Sequence, residues 1–494
     1  LSISSPLLPT SSPAAHYRGT FGVLCTAVGA YALLQSLVVP VLPTIQAALH
    51  TSQNTVTWVL TAYLLSASIF TPVLGRLGDM YGKERFLVIA LLALTVGSVL
   101  AALSGSIFLM IVARALQGVG GGVLPLSFGI VRDEFPPEKV TGAVGVIAAL
   151  AAAGAGLGIV LAGPIVDVLD FHWLFWIPAI VLAGATVFAK IVVPESPVRT
   201  PGKLNPVAIT LLTLWLVAVI LGVSEAPTWG WGSSSVLGLL LGGLLLALVW
   251  IRVESRSPHP LVDMTMMRIP TVWTTNLVAF LLGIGMYAVF AFLPEFVQTP
   301  RSAGYGFGSS ITHSGLLLLP ATVMMFLFGM ISGRLSKRWG PKAVLVAGAL
   351  ISIVTFVLLT TARTQQWEIV LAMAIEGVGF GLVFAAMSNL VVQAVSPAQT
   401  GVASGMNANI RTIGGAAGAA VMSSIVTSGA HGGLPRSSGY THGFAMLAGA
   451  SIVAAIAATL VPRRLKKIAE TEFVLPHAEL GIVAAGTLVG DDSE

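Results

Sequence analysis

The chain has 494 residues, 55% of them hydrophobic and only 9% charged, with a net charge of +5 and a mean hydropathy of +0.92. Soluble domains carry about 25% charged residues, so there is too little polar surface here to coat soluble domains, and most apolar residues must face lipid or one another. The single cysteine, Cys25, excludes an internal disulfide and argues against a thiolate metal site. The scattered basic residues argue against nucleic acid as a partner.

Residues 1–19 form a Pro/Ser-rich lead without the charged start and compact apolar core of a cleaved signal peptide. A membrane-crossing helix needs roughly 20 mostly apolar residues. Fourteen such runs follow, at about 20–44, 54–74, 86–104, 107–130, 140–166, 172–193, 206–223, 234–252, 272–297, 311–333, 343–361, 368–392, 401–427 and 441–462. With the N-terminus inside, only Arg301, Arg363 and Arg436 fall on the outer side, Arg114 and Arg411 fall within runs, and the other Lys and Arg are inner. That bias predicts cytoplasmic termini and supports an even number of spans.

The first run carries Tyr31 and Gln35, four residues apart on one helical face. The second ends in "GRLGDMYGKERFL" from Gly75, a charged, glycine-bracketed inner loop. Gly75 permits close helix approach and Gly82 a sharp reversal. Asp79 is placed to meet the positive end of the third helix, and Lys83 and Arg85 hold the loop inside. In the fourth run, Arg114 is a charge within an apolar helix, which is costly and usually faces the bundle or a water path; Gln117 shares its face. In the fifth, "GAGLGIVLAGPIVD" from Gly154 spaces Gly154, Gly158 and Ala162 by four, a small-residue seam for helix packing. Asp167, Asp170, Glu225, Glu295 and Glu368 lie near outer helix ends, and Asp167 and Glu295 each directly follow an apolar run. Met286, Tyr287 and Phe290 on the ninth helix, with Met324, Met325 and Phe328 on the tenth, are candidate substrate contacts, because methionine adapts to varied shapes. Asn407 and Arg411 share a face of the thirteenth helix, either lining a cavity or bonding helices together.

The glycine loop recurs as "GRLSKRWGPKAVL" from Gly333, and "ARALQGVGGG" from Ala113 is echoed by "AMAIEGVGFG" from Ala372. In each half the second echo lies two helices after the one that ends in the loop. The chain therefore reads as two related six-helix halves in parallel register, with the seventh and eighth helices inserted between them. Glu376 occupies the repeat position of Gln117, about two turns into its helix. A carboxyl there can be neutral when buried and charged when wetted or paired, as a proton-driven carrier requires.

The repeated loop resembles motif A of the major facilitator superfamily, and "RALQGVGGG" its motif B. "WVLTAYLL" from Trp58, "ESRSPHPLVDMTMMR" from Glu254 and "GVASGMNANIRTIGGAAG" from Gly401 resemble the 14-helix drug:proton antiporter (DHA2) branch. The likeness spans about residues 20–465. It implies a conformational latch at Gly75, Asp79, Gly82, Lys83 and Arg85, and a proton-coupling role for Arg114. The helix carrying Gly154, Gly158, Gly163 and Pro164 is similar to the antiporters' motif C, with departures: Ile159 replaces a proline, Ala162 a glycine, and Pro164 comes late. Gln35 stands near the site where exporters of this branch often carry an aspartate, and a neutral amide cannot neutralise a cationic drug, which speaks against a preference for dications.

No P-loop is present, since "GDMYGKE" from Gly78 has the wrong spacing, and neither H-E-x-x-H nor G-x-S-x-G occurs. The expectation is an all-α integral membrane protein rather than an enzyme, divided into a lead (1–19), a six-helix bundle (20–200), a two-helix insert (201–255), a second bundle (256–467) and a cytoplasmic tail (468–494). Its expected activity is proton-coupled export of amphipathic or lipophilic compounds by alternating access across the cell membrane; a dedicated carrier of one metabolite, lipid or nutrient is the alternative. Proton coupling is expected from Glu376, Arg114, Asp167 and Glu295, and substrate binding from Tyr31, Gln35, Gln117, Met286, Tyr287, Phe290, Asn407 and Arg411. Protons are the expected coupling ion, with no cofactor or metal. The expected partners are the bilayer and a small molecule, for a chain acting as a monomer.

Overall fold

The structure, a computed structural model, describes residues 13–196, 199, 205–428 and 435–462. Most of the expected lead, the tail, Lys203 and the basic cluster Arg463, Arg464, Lys466 and Lys467 lie outside the described residues. Among the described residues every regular element is helical, and 14 helical segments are long and apolar enough to cross a membrane. These are α1 (Tyr17–Ala48), α2 (Thr55–Tyr81), α3 (Lys83–Ala102), α4 (Ile107–Glu134), α5 (Pro137–Val168), α6 (Trp173–Val192), α7 (Pro206–Trp229), α8 (Ser234–Arg256), α9 (Pro270–Gln298), α10 (Ile311–Trp339), α11 (Pro341–Thr361), α12 (Gln366–Ala394), α13 (Pro397–Thr427) and α14 (Ser437–Leu460).

Two spans break where their sequence demands it. α1 tightens to a 3₁₀ turn at Val39–Val41, where Pro40 and Pro43 lack the N–H that would continue the ladder. α4 does the same at Val119–Gly122, through a run of three glycines. The charged glycine stretch is not the loop that its sequence suggests. α2 stays helical to Tyr81 and α3 begins at Lys83, so Gly82 alone makes the reversal, at φ +121°. Gly340 does the same in the second copy at φ +85°. The left-handed region is open to glycine and strained for other residues. Gly75 and Asp79 are thereby on one face of α2, four residues apart, and the reversal at Gly82 brings Lys83 Nζ to 3.6 Å from Asp79.

Helices α1–α6 and α9–α14 form two bundles with the same internal pairings. α1 packs on α5 and α6, α3 on α4 and α6, and α2 on α4; in the second bundle α9 packs on α13 and α14, α11 on α12 and α14, and α10 on α12. Small residues set the closest of these contacts. Gly154 and Gly158 of α5 lie against Ala32 and the Leu33 backbone of α1. Gly414 and Gly418 of α13, with the same four-residue spacing, lie against the Phe280 and Ile284 backbones of α9. Between bundles, α2 crosses onto α13, and α10 onto α5. The two inserted helices differ from each other. α8 packs chiefly on α7 and exposes Leu241, Leu244, Leu245 and Leu248, as a lipid-facing helix should. α7 touches α2 of one bundle and α13 of the other, so it is not the peripheral helix that its uncharged middle suggests.

Candidate transport cavity and its closed end

A cavity of about 540 Å³ lies between the bundles. Its walls come from α1 (Tyr31, Gln35), α2 (Thr57, Tyr63, Thr71), α4 (Arg114, Phe128), α5 (Ala148, Ala152), α9 (Met286, Tyr287, Phe290), α12 (Phe384, Ser388) and α13 (Ser404, Asn407, Arg411), and from Ser224, Pro227 and Thr228 at the end of α7. Most of the wall is apolar, with polar groups at a few points, the usual make-up of a small-molecule site. Arg114 is wholly buried. Its Nε donates to the Val59 carbonyl at 3.1 Å and its Nη1 to Gln117 Oε1 at 2.8 Å, while its guanidinium lies 4.3 Å over the Tyr63 ring. Arg411 lies 4.7 Å over the Phe384 ring. Gln35 Nε2 reaches across from α1 to Tyr287 Oη of α9, at 3.4 Å, and Asn407 Nδ2 donates to Asn276 Oδ1 at 2.8 Å.

At the glycine-loop face the cavity is shut by contact between α2 and the start of α13. A Cβ on Gly75 would lie 2.7 Å from the Gly401 carbonyl oxygen, and one on Gly401 2.9 Å from that of Gly75; only glycine on both sides permits this approach. One turn on, the fully buried Asp79 accepts a hydrogen bond from the Val402 backbone N–H at 3.3 Å. Val402 is in the first α-helical turn of α13, just after its 3₁₀ start at Pro397–Gln399, so the carboxylate meets the positive end of that helix. The helix end that Asp79 meets is thus in the opposite bundle, not the third helix that follows it in sequence. Lys83 Nζ lies 3.6 Å from Asp79 and 2.6 Å from Asp133. Arg85 is exposed. A Cβ on Gly82 would clash with the Glu195 carboxylate, whose pKa is raised by burial and by the neighbouring Glu84.

Arg132, in the last turn of α4, adds a link that its sequence did not suggest. Its Nη1 donates to the Val392 carbonyl and, at 2.9 Å, to Thr400 Oγ1, both in the other bundle. From sequence it counted only as an inner positive charge. The participation of α7 was likewise not legible, because Ser224, Pro227 and Thr228 carry no motif.

The structure does not gather all the expected site residues. Tyr31, Gln35, Met286, Tyr287, Phe290, Asn407, Arg411 and Arg114 line the cavity. Gln117 does not; its Nε2 turns to Ser98 Oγ of α3 at 3.1 Å while its carbonyl holds Arg114, so it braces the arginine instead of meeting substrate. Glu376 is fully buried but faces Ser352 and Thr355 of α11, inside the second bundle. It is therefore not opposite Arg114, which packs on α2 in the first bundle. Asp167 and Glu295 are exposed near the ends of α5 and α9 and do not line the cavity; Asp167 accepts from Thr312 Oγ1 at 2.5 Å. Met324, Met325 and Phe328 do not line it either, because the α10 face bearing them packs against α12. Gly163 of α5 abuts Thr312 of α10, across the seam from the α1 contacts of Gly154 and Gly158, and Pro164 lies within the helix. Among the described residues no three His, Cys, Asp or Glu side chains gather as a metal site.

The Major Facilitator Superfamily model matches residues 24–419 and 275–480. The tetracenomycin C resistance and export protein of Streptomyces glaucescens is 27% identical over 430 residues, 84% of this chain and 78% of that protein. The multidrug transporter protein MdtP of Bacillus subtilis is 28% identical over 374 residues, 75% of this chain and 68% of that protein. Among solved structures, the human organic anion transporter MFSD10 superposes with a TM-score of 0.67 at 17% identity, covering 89% of this chain and 99% of that one. The proton:xylose symporter XylE superposes at 0.65 and 14% identity, covering 92% and 98%. At such identities these two speak for the fold alone. With a family model spanning most of the sequence, 14 membrane-crossing helices and a cavity at the seam of two matching bundles, the chain belongs to the major facilitator superfamily and is a multi-pass membrane transporter, not an enzyme.

Proposed function

We propose that this transporter is a proton-coupled exporter of amphipathic or lipophilic small molecules, of the kind that includes drugs and antibiotics. It works by alternating access in the cell membrane, as a monomer, with the glycine-loop face and both termini in the cytoplasm. The observation that carries this reading is the cavity between the bundles, apolar over most of its wall and closed at the glycine-loop face by a few breakable contacts: Gly75 on Gly401, Asp79 on Val402, and Arg132 on Thr400. Such a seam can open by rocking the bundles of residues 20–200 and 256–467 against each other. The names of the Streptomyces and Bacillus relatives, one a tetracenomycin C resistance and export protein and one a multidrug transporter protein, favour export.

Protons are the coupling ion in this reading, and Glu376 is the principal acid that carries them. It is a carboxyl buried in a membrane-spanning helix without a cationic partner among its interactions, an expensive placement that in membrane proteins goes with function. Gly377 and Gly379 beside it bring α10 and α11 close. Proton binding and cargo binding favour different states, and each shifts the balance only by its difference in affinity between them.

The test is a proteoliposome assay of the full chain with an imposed proton gradient and a panel of dyes, antibiotics and lipids. Uphill movement of at least one amphipathic compound, abolished by a protonophore, is the expected result. Movement of panel members that ignores the gradient would remove the coupling from the proposal.

A further inference from the structure

We infer that the cavity takes acidic amphipathic cargo, an organic monoanion such as a carboxylate or sulfonate on an aromatic or aliphatic body, with its anionic group held by the Arg411 guanidinium. The inference rests on the export reading above and names its substrate class.

The first observation is the charge of the wall. Among the described residues two arginines line the cavity, Arg114 and Arg411, and no Asp, Glu, Lys or His does. None of the carboxylates on the lining helices is a wall residue, and several have partners away from the cavity. Asp79 is engaged with Val402 and Lys83, and Asp133 with Lys83. Glu225 at the rim accepts from Thr228 at 3.0 Å, Glu368 accepts from the Thr364 and Gln365 amides, and Glu376 faces α11. The cavity therefore holds two positive charges without an internal counter-charge, in surroundings where an uncompensated charge is costly.

The second observation is that both guanidiniums have donor capacity left over. Arg114 Nη2 and Arg411 Nε are buried and make no hydrogen bond. Arg114 spends its other nitrogens on Val59 and Gln117 and is locked in place. Among the described residues no side chain or carbonyl accepts a hydrogen bond from the Arg411 guanidinium, which lies 4.7 Å over the Phe384 ring, and its planar fork suits a carboxylate or sulfonate.

The third observation is what surrounds Arg411. Tyr31 and Tyr287 lie within its electrostatic reach, and Gln35, bonded to Tyr287, adds an amide. These are hydroxyl and amide donors suited to the remaining lone pairs of an oxyanion. Met286, Phe290 and Phe384 supply an apolar bed for the body of the molecule. An organic cation would meet the reverse arrangement, two like charges and no anion to pair with, a repulsive element of the kind that sets specificity.

The experiment measures equilibrium binding to the purified full chain by energy transfer from its tryptophans to pyrene, using three probes that share one body: pyrenebutyrate, its methyl ester and the matching pyrenylbutyl-trimethylammonium. The expected order is carboxylate over ester by about 10-fold or more, the loss that accompanies removal of a charge-assisted hydrogen bond, with the ammonium probe weakest. Arg411→Gln should bring the carboxylate down to the affinity of the ester while leaving the ester within about twofold. Arg411→Lys should keep part of the preference. Ammonium binding as tight as or tighter than carboxylate binding in the unaltered chain overturns the inference, and so does a carboxylate preference untouched in a folded Arg411→Gln protein. If that variant does not fold, the three-probe order in the unaltered chain still decides. Gradient-driven uptake is read separately. A carboxylate preference without uptake would overturn the export reading and leave the charge preference standing; uptake with the ammonium probe preferred would do the reverse.

Discussion

Asp79→Asn tests the closed end most directly. The substitution keeps an acceptor oxygen opposite the Val402 N–H but removes the negative charge from the first turn of α13, at a wholly buried position. A charge at a helix end is worth about 0.3–1 kcal/mol when exposed and up to about 2 kcal/mol when buried, and a hydrogen bond to a charged partner exceeds a neutral one by a comparable amount. Lys83 keeps Asp133 at 2.6 Å, so the fold is not left with an orphaned cation. The closed state should therefore lose about 1–2 kcal/mol, a shift of about 5–30-fold in the balance between closed and open at that face. A reporter cysteine at Ser404, on the cavity wall beside the seam, in a Cys25→Ser background, reads this as alkylation by a membrane-impermeant maleimide added from the glycine-loop side. Asp79→Asn should speed alkylation by that factor and slow transport, with expression and insertion unchanged. Equal alkylation rates with normal turnover would refute the charge–dipole lock.

Other perturbations separate the parts of the machine. Gly75→Ala favours the helix but forces its Cβ on the Gly401 carbonyl, so the protein should insert normally yet alkylate the same reporter faster; an unchanged rate would mean that the seam relaxes around a methyl group. Arg132→Ala removes the bonds to Val392 and Thr400 and should act in the same direction, more than additively with Asp79→Asn if the two share one opening motion; a cycle of single and double variants measures this. Glu376→Gln keeps the shape beside Ser352 and Thr355, so it should retain cargo binding and lose uphill transport, with Glu376→Asp intermediate; uphill flux with unchanged proton stoichiometry in the glutamine variant would move the coupling site elsewhere. Removing α7 and α8, about residues 205–253, should leave an inserted protein of reduced stability with one side of the cavity uncovered, because α7 supplies Ser224, Pro227 and Thr228 to its wall; unaltered binding and thermal stability would return α7 to the periphery.

The spans and the repeat were legible because they depend on composition and on glycine. A run of some 20 apolar residues has few other fates, and the two glycine turns recur with their neighbours. What sequence could not supply was direction around each helix. Arg114 and Gln117 are three residues apart, yet one borders the cavity while the other turns to Ser98. Glu376 follows Gln117 in this: the position lies inside its bundle, against Ser352 and Thr355 of α11. That hint was available, since residues at the repeat position of a bracing side chain share its surroundings. The echo of Gly154 and Gly158 in Gly414 and Gly418 was also available, at the same spacing in the matching helix. The partners of Asp79 and Arg132 were not, because Val402 and Thr400 lie more than 250 residues away in sequence and no local pattern points to them.

The two main crossings between bundles, α2 on α13 and α10 on α5, are related by the repeat but are not equal, and their difference bears on which one opens. α5 and α10 touch along most of their length: Gly142 meets Gly333, Ala149 meets Gly329, Thr322 meets Gly156, Val160 meets Gly315, and Thr312 meets Gly163. α2 and α13 meet only near the glycine loops, at Gly75 with Gly401 and Thr71 with Gly405, and then diverge around the cavity, whose wall takes Thr57 from one and Ser423 from the other. A seam of small residues along two whole helices tolerates tilting with little loss of contact, whereas a seam confined to one end either holds or parts. Charge follows the same division. At the fifth position of the glycine stretch, the parting seam has Asp79, whose sign suits the N-terminus of α13. The continuous seam has Lys337, whose sign does not suit the N-terminus of α5 and which bonds instead to the Glu138 carbonyl at 3.2 Å. In the proposed alternating-access cycle, α5 with α10 would serve as the hinge and α2 with α13 as the gate, and Asp79, whose counterpart in the second copy is Lys337, is placed at the contact that would be made and broken.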